Sequence, residues 1–331
     1  MGGRNLSSTL YLVVPCYNEE AVLRATAGCL SEKMKELEAQ GKISQGGKIV
    51  FVDDGSLDGT WGIIEELCSR DGIYAGVKLT RNRGHQNALL AGLLAARHEA
   101  DLVITIDADL QDDVSSIDLM VDEYLGGSDV VYGVRRSRKT DGFFKRATAE
   151  GYYKLLRSYG CDVVFNHADF RLMSSRAIQA LSEYREQRLF IRGLVPLLGY
   201  KSSVVHYERG VRGAGESRYP LKRMLSLAFD GLTALSLRPL RFVTALGASM
   251  LFLAAAFLVY MIVTAVMGES VLEWKLIVFS VWAVGGIMTL SVGIVGEYVG
   301  RAYVETKGRP RFNIDRTVGL TQELRDERVE S

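Results

Sequence analysis

With 331 residues and a formal net charge of +1, the chain has room for one large domain or two modest ones, and it lacks the basic excess that a nucleic-acid partner calls for. Cys16, Cys29, Cys68 and Cys161 are scattered without a C-x-x-C pair, which excludes a zinc framework or disulfide scaffold and makes reduced, cytosol-facing thiols the expectation. The polar stretch 1–9 has no apolar signal-peptide core, and the hydrophobic content of 48% is uneven: a mixed α/β pattern runs to about residue 215, with long apolar runs beyond it.

In chain order, short apolar runs bounded by turn residues alternate with helical patterns. A strand over 10–14 closes in Pro15-Cys16-Tyr17-Asn18-Glu19-Glu20, and a helix follows over 21–39. A second strand over 48–52 ends in Asp53-Asp54-Gly55-Ser56; Ser56-x-Asp58-Gly59-Thr60 then supplies turn residues and an N-cap for a helix over 61–70. A third strand over 74–79 ends at Thr80-Arg81-Asn82-Arg83-Gly84-His85-Gln86, and a helix over 87–98 leads into Val103-Ile104-Thr105-Ile106. A helix over 115–125 and a strand over 129–133 follow. This alternation predicts an α/β, Rossmann-like domain with a mostly parallel, doubly wound sheet and polar segments just after the strands. The absence of G-x-G-x-x-G, of a P-loop and of G-x-S-x-G disfavours a dehydrogenase, a P-loop NTPase and an α/β-hydrolase.

The run 103–106 passes directly into Asp107-Ala108-Asp109-Leu110-Gln111-Asp112. A strand turns residues i and i+2 to the same side, and ligands of open α/β sheets bind outside the carboxyl ends of the strands. Asp107 and Asp109 are therefore candidates to hold Mg²⁺ or Mn²⁺, hard cations that combine one or two carboxylates with substrate phosphates. An isolated D-x-D is also what a solvated acidic loop looks like, so the neighbouring segments decide.

Those segments resemble the family 2 glycosyltransferases with a GT-A fold. The resemblance rests on Val14-Pro15-x-Tyr17-Asn18-Glu19, Val52-Asp53-Asp54-Gly55-Ser56-x-Asp58-Gly59-Thr60, Arg81-Asn82-x-Gly84-His85-Gln86 and Asp107-Ala108-Asp109-x-Gln111-Asp112, in that order. With the apolar C-terminal part, the chain is similar from about residue 10 to 310 to the polyprenyl-phosphate branch, which includes bactoprenol glucosyltransferases and dolichol-phosphate mannose synthases. The resemblance implies a nucleoside pocket of Pro15, Tyr17, Glu19, Val52 and Asp54, with Asp54 accepting a hydrogen bond from the base. It implies that Asp107, Asp109 and Gln111, with Ala108 between them, hold the metal on the diphosphate, where it acts as a Lewis acid.

Gly133-Val134-Arg135-Arg136-Ser137-Arg138-Lys139 is basic and follows a strand end, with Lys145-Arg146 close behind. The resemblance assigns Arg135 and Arg146 to the acceptor-lipid phosphate, which guanidinium forks match; Arg136, Arg138 and Lys139 could equally meet anionic headgroups. In Asn166-His167-Ala168-Asp169-Phe170-Arg171, Asp169 is implied to be a base or a sugar-orienting group, with a salt bridge to Arg171 as the alternative. A phosphate acceptor, with a second pKa of about 6, needs little help from a base. Arg212-x-x-Gly215-Glu216-Ser217-Arg218 matches the family's loop over the diphosphate, which assigns Arg212 and Arg218 to phosphates; a plain linker is the alternative.

Beyond this loop, 216–241 reads as an interfacial amphipathic region. The uncharged runs 242–267 and 276–295 are long enough for two transmembrane helices within 242–300. Arg238 and Arg241 precede them and Arg301, Lys307, Arg309 and Arg311 follow, so the positive-inside rule places a catalytic domain over 1–215 and a tail over 301–331, charged and frayed beyond Asn313, in the cytoplasm. The expected function is inverting, metal-dependent transfer of a sugar from a nucleotide sugar to a membrane polyprenyl phosphate, undecaprenyl phosphate in a bacterium. The donor expected is a UDP-sugar such as UDP-glucose, before a GDP-sugar, and paired short spans invite a homo-oligomer. A processive polysaccharide synthase and a non-catalytic nucleotide-sugar-binding scaffold are the competing readings; Gln187-Arg188-Leu189-Phe190-Ile191-Arg192-Gly193 lacks the Q-x-x-R-W of the former.

Overall fold

The strands form because short β-branched and apolar runs can be buried on both faces of a sheet, and the helices form because their apolar positions recur on one side. A computed structural model describes residues 8–135, 167–184, 186, 190–208 and 305–320, with isolated positions between 277 and 303. In chain order the elements are β1 (Leu10–Cys16), α1 (Leu23–Ala39), β2 (Lys48–Asp53), α2 (Thr60–Arg70), β3 (Tyr74–Leu79), α3 (His85–Ala96), β4 (Leu102–Thr105), α4 (Ser116–Leu125) and β5 (Val130–Arg135). Then come β6 (His167–Ser174), α5 (Ser175–Ser182), α6 (Ile191–Leu197), β7 (Ser202–Tyr207) and β8 (Ile314–Val318).

Among the described residues these strands make one eight-stranded sheet in the order β7-β5-β6-β4-β1-β2-β3-β8. β1 pairs in parallel with both β2 and β4, β2 with β3, and β5 with β7. β6 runs antiparallel between β4 and β5, and β8 antiparallel along the edge of β3. The order reverses between β1 and β4, the topological switch point at which open sheets leave a crevice for ligands.

The period of two divides the core between the faces. Leu10, Leu12 and Val14 of β1 join α1, α2 and α4 on one side; Tyr11 and Val13 join α3, α5 and α6 on the other. Helix α3 lies so close to the sheet that a Cβ at Gly92 would sit 2.3 Å from Cγ1 of Val13 and 2.8 Å from Cγ2 of Val52.

The predicted α/β class and first five strands are present, with three differences that matter for the site. Strand β4 ends at Thr105, so Asp107 and Asp109 lie in the following loop rather than on a strand whose alternation would align them. Leu110 in that loop takes φ +49°, a left-handed conformation that costs a non-glycine residue about 1–3 kcal/mol and that tertiary contacts must hold. Helix α3 begins at His85, not at 87, which brings this histidine to a helix N-terminus.

The third difference is at the C-terminal end, where the expectation of a frayed tail beyond Asn313 is incorrect for 314–318. Those residues are β8, registered Val77↔Thr317 and Lys78↔Arg316 on β3. Phe312, Ile314 and Leu320 pack on one core face and Val318 on the other, and Lys48 Nζ donates to the Gly319 carbonyl at 2.6 Å. An open edge strand gains a ladder of partners there, so the sheet is completed by chain from beyond the apolar runs. Among the described residues no helix is long and apolar enough to cross a membrane; the region 216–241 and the runs 242–267 and 276–295 lie outside them, apart from isolated helical positions.

Candidate active site

The loops after β1 and β2 are zipped together at the switch point. Asn18 N–H donates to Ser56 Oγ and Leu57 N–H to Asn18 Oδ1, both at 2.9 Å; Glu19 N–H donates to Thr60 Oγ1 at 2.9 Å, and Asp54 N–H to the Cys16 carbonyl at 2.9 Å. Pro15 and Val52 are buried beneath this junction, Glu19 is half-buried, and Tyr17 is exposed on it. Asp54 is buried with both oxygens engaged: Oδ1 accepts from Arg83 N–H at 2.7 Å and Oδ2 from Gly84 N–H at 2.8 Å. Its visible task is therefore to hold the 81–84 loop, and that loop in turn presses on Gly55. Gly55 has φ +70°, and a Cβ there would lie 2.6 Å from backbone atoms of Arg81 and Asn82.

The β4 loop is anchored on both sides. Ile106 N–H donates to the Val13 carbonyl, and Thr26 Oγ1 of α1 donates to the Ala108 carbonyl at 2.7 Å. Asp107 and Asp109 are half-buried, and Gln111 N–H closes a turn on Asp109 Oδ1 at 3.2 Å. Desolvation, followed by repulsion from Asp112, Asp169 and Asp109, pushes the Asp107 acid up to about 6 against the opposing pull of His85. Carboxylates clustered in this way are the setting that a hard divalent cation neutralises. No set of three or more His, Cys, Asp or Glu side chains among the described residues is arranged to hold a metal. The pair would supply two carboxylate ligands, a number that such a cation combines with substrate phosphates.

Beside this pair, Asp169 of β6 is the centre of a cationic clamp. Its carboxylate accepts from Arg192 Nε at 3.0 Å and Nη2 at 2.9 Å, from Arg171 Nη2 at 2.8 Å and from Gln86 Nε2 at 3.3 Å. His85 Nε2 lies 3.3 Å from Asp169 and 3.7 Å from Asp107. Burial opposes charge on Asp169, but Arg192, His85 and Arg171 outweigh it and hold the carboxyl well below the usual range. For His85 the two carboxylates outweigh desolvation and raise its pKa. A carboxylate so stabilised is a weak proton acceptor. Gln86 Oε1 also accepts the first N–H of α6, from Ile191, at 3.2 Å, so α3 and α6 meet over Asp169.

Arg135 closes the same edge of the sheet from the end of β5, with its side chain 25% exposed. The structure therefore gathers Pro15, Tyr17, Glu19, Val52, Asp54, Asp107, Ala108, Asp109, Gln111, Arg135 and Asp169 around the carboxyl ends of β1, β2, β4 and β5. Arg146, Arg212 and Arg218 lie outside the described residues, as do Arg136, Arg138 and Lys139.

The family model for Glycosyl transferase family 2 matches residues 11–182, which holds all of these gathered positions. The chain belongs to this family. As a family 2 glycosyltransferase it has relatives along nearly its whole length. It is 47% identical over 92% of its length, and 91% of the relative's, to an uncharacterized glycosyltransferase, YkoT, of Bacillus subtilis. It is 36% identical to a prophage bactoprenol glucosyl transferase homolog of Escherichia coli, over 92% of this chain and 98% of that one. The bactoprenol glucosyl transferase of Shigella phage SfX is 37% identical, over 92% of this chain and 97% of that one. The protein is thus a glycosyltransferase.

Sequence reading did not single out Arg192, Tyr207 or Thr26 for this enzyme. Arg192 reaches the site because α6 packs against α3 and β6, and Tyr207 because β7 pairs in parallel with the end of β5. Thr26 reads as an ordinary helix residue until its second acceptor, the Ala108 carbonyl in the loop after β4, is seen. Gln86 stood within a recognised motif, which was its only signal.

Proposed function

We propose that this glycosyltransferase moves a sugar from a nucleotide sugar, most simply a UDP-sugar such as UDP-glucose, to a membrane polyprenyl phosphate with inversion. The observation that carries the reading is the pair Asp107 and Asp109 at the switch point, flanked on one side by the zipped β1 and β2 loops and on the other by Arg135. The nucleoside would lie on Pro15, Tyr17, Glu19, Val52 and the loop that Asp54 anchors. Asp107 and Asp109, with Gln111 adjoining, would hold Mg²⁺ or Mn²⁺, which supplies Lewis acidity to the departing diphosphate.

Arg135, with Arg146, would hold the acceptor phosphate, and Arg212 and Arg218 would close over the donor diphosphate. A phosphate oxygen attacks the anomeric carbon as the bond from that carbon to the nucleoside diphosphate breaks. The nucleophile is already largely ionised at neutral pH, so the chain's task is orientation more than proton removal. Asp169 then serves to fix His85, Arg192 and α6 rather than to take a proton.

The acceptor class is supported by the relatives named bactoprenol glucosyl transferase. Two spans within 242–300, preceded by an interfacial segment over 216–241, would keep the site at the lipid surface, with the catalytic unit and the C-terminal segment cytoplasmic. The pairing of β8 with β3 supports an even number of crossings, because residues 208 and 314 then belong to one folded body on one side. Arg238 and Arg241 before the spans and Arg301 and Lys307 after them support the cytoplasmic side.

The test is a donor screen on the purified full-length protein with undecaprenyl phosphate and Mn²⁺ or Mg²⁺, reading the product by mass. A lipid carrying one sugar is expected, and Asp109→Ala should lose transfer while keeping its fold and membrane association. A long polymer, or wild-type turnover by Asp109→Ala, would overturn the reading.

A further inference from the structure

Arg135 does not stand alone at its strand end. The parallel register of β5 and β7 sets Arg135 beside Tyr207, and Arg135 Nε donates to Tyr207 Oη at 3.2 Å. The tyrosine hydroxyl has one proton, and it donates that proton to Asp112 Oδ1 at 2.5 Å. Nη2 of Arg135 lies 3.6 Å from the same carboxylate oxygen, which makes a three-membered ring of side chains. Tyr207 is 2% exposed, and its ring is fixed edge-on against Phe170 at a centroid distance of 5.3 Å and an interplanar angle of 85°. Asp112 is buried, and its Oδ2 has no hydrogen-bond partner among the described residues. A half-satisfied buried carboxylate is costly, and its retention calls for a reason.

We propose that Tyr207 and Asp112 are positioning residues that aim Arg135 at the acceptor phosphate. This rests on the reading of Arg135 as an acceptor-phosphate ligand and deepens it. The Nε–H of Arg135 is spent on Tyr207, which fixes the plane of the guanidinium. The side chain remains partly exposed, so its outer N–H groups form a fork already oriented for a phosphate. A free arginine would give up much of its rotamer freedom on binding; one held by a locked tyrosine gives up less.

Asp112 adds a second element. It stands five residues beyond Asp107 in the metal loop, near enough that its charge acts on that residue. The carboxylates proposed for the leaving diphosphate and the arginine proposed for the nucleophile are thereby braced against each other through one side chain.

The test measures steady-state kinetics of the full-length enzyme with undecaprenyl phosphate as varied acceptor, for Tyr207→Phe, Arg135→Ala, the double variant and Asp112→Asn. Tyr207→Phe removes one oxygen and no ring packing. It should raise the acceptor KM roughly tenfold, as expected for losing a hydrogen bond to a charged group. The donor KM and kcat should stay within about twofold, while Tm falls by a few degrees because the buried Asp112 carboxylate loses its donor. In the Arg135→Ala background Tyr207→Phe should add nothing, because there is no arginine left to aim.

Asp112→Asn, which keeps the shape and removes the charge, should shift the acceptor KM in the same direction and supplies the measurement if Tyr207→Phe does not fold. An unchanged acceptor KM in Tyr207→Phe, with a raised one in Arg135→Ala, overturns the positioning role alone. So does a Tyr207→Phe effect that adds in full to Arg135→Ala, or a Tm loss without any KM shift. An unchanged acceptor KM in Arg135→Ala removes the acceptor reading of that arginine, and the proposal with it.

Discussion

Asp169→Asn separates an anchoring carboxylate from a catalytic base. The substitution keeps the shape of the side chain but leaves Arg171, 1% exposed and with Nη1 already unpartnered, without a counter-ion. It also turns an amide N–H toward the donors of Arg192. Removing one partner of a buried ion pair costs about 3–5 kcal/mol. Arg192 is 37% exposed and its share is screened by solvent, so the low end, about 3 kcal/mol, is the expected loss. For a folded unit of this size that lowers Tm by about 6–12 °C. The assay is thermal unfolding of the full-length protein in detergent, followed by intrinsic fluorescence.

The pH dependence has a definite sign. The folded-state pKa of Asp169 is depressed relative to about 3.9 in the unfolded chain. The clamp's contribution is therefore fully present above about pH 4 and is lost as pH falls through the folded value. The Tm gap between wild type and Asp169→Asn should widen from pH 7 to 5, as His85, whose raised pKa depends on Asp169, takes up its proton, and close only in stronger acid. A variant with wild-type Tm and abolished turnover would refute the anchoring argument and make Asp169 the proton acceptor.

Two further perturbations test the architecture around the site. Gly55→Ala places a Cβ 2.6 Å from backbone atoms of the 81–84 loop at a left-handed φ. It should cost about 2 kcal/mol or more and weaken UDP binding by calorimetry, whereas unchanged affinity would detach this loop from the nucleotide site. Ile314→Asp with Val318→Asp puts charges where β8 packs on the two core faces. Amides of Gly76–Leu79 should then exchange with deuterium faster, and unaltered protection of β3 would contradict the pairing.

Much of the parallel half of this fold is legible in the sequence, because its information is local. Each β1–β4 run is apolar for the length of one buried strand, and each ends in its own polar signature, so Pro15, Asp53, Arg81 and Asp107 announce strand ends without reference to anything distant. The strands added later in the chain carry no such signal. β7 (Ser202–Tyr207) is half exposed, and β8 (Ile314–Val318) reads as a charged tail. Such segments become strands because a neighbouring edge offers unpaired N–H and C=O groups, a property of the folded sheet and not of the segment.

The site divides along the same line. The sequence alone nominated Asp107 and Asp109 as oxygen donors for a metal on a diphosphate, and the neighbouring motifs, each local, carried that nomination. The assignment of charge partners waited for the tertiary structure. Asp169 is paired by Arg192 as well as Arg171, Asp54 serves the backbone of the 81–84 loop, and Arg135 is held by Tyr207 and Asp112. Residue 112 lies in the loop before α4 and residues 135 and 207 end β5 and β7; sheet order brings the three together, and a carboxylate's role follows from which cations the fold sets beside it. Side-chain chemistry is local and legible; electrostatic environment is made by long-range packing, and only the folded chain contains it.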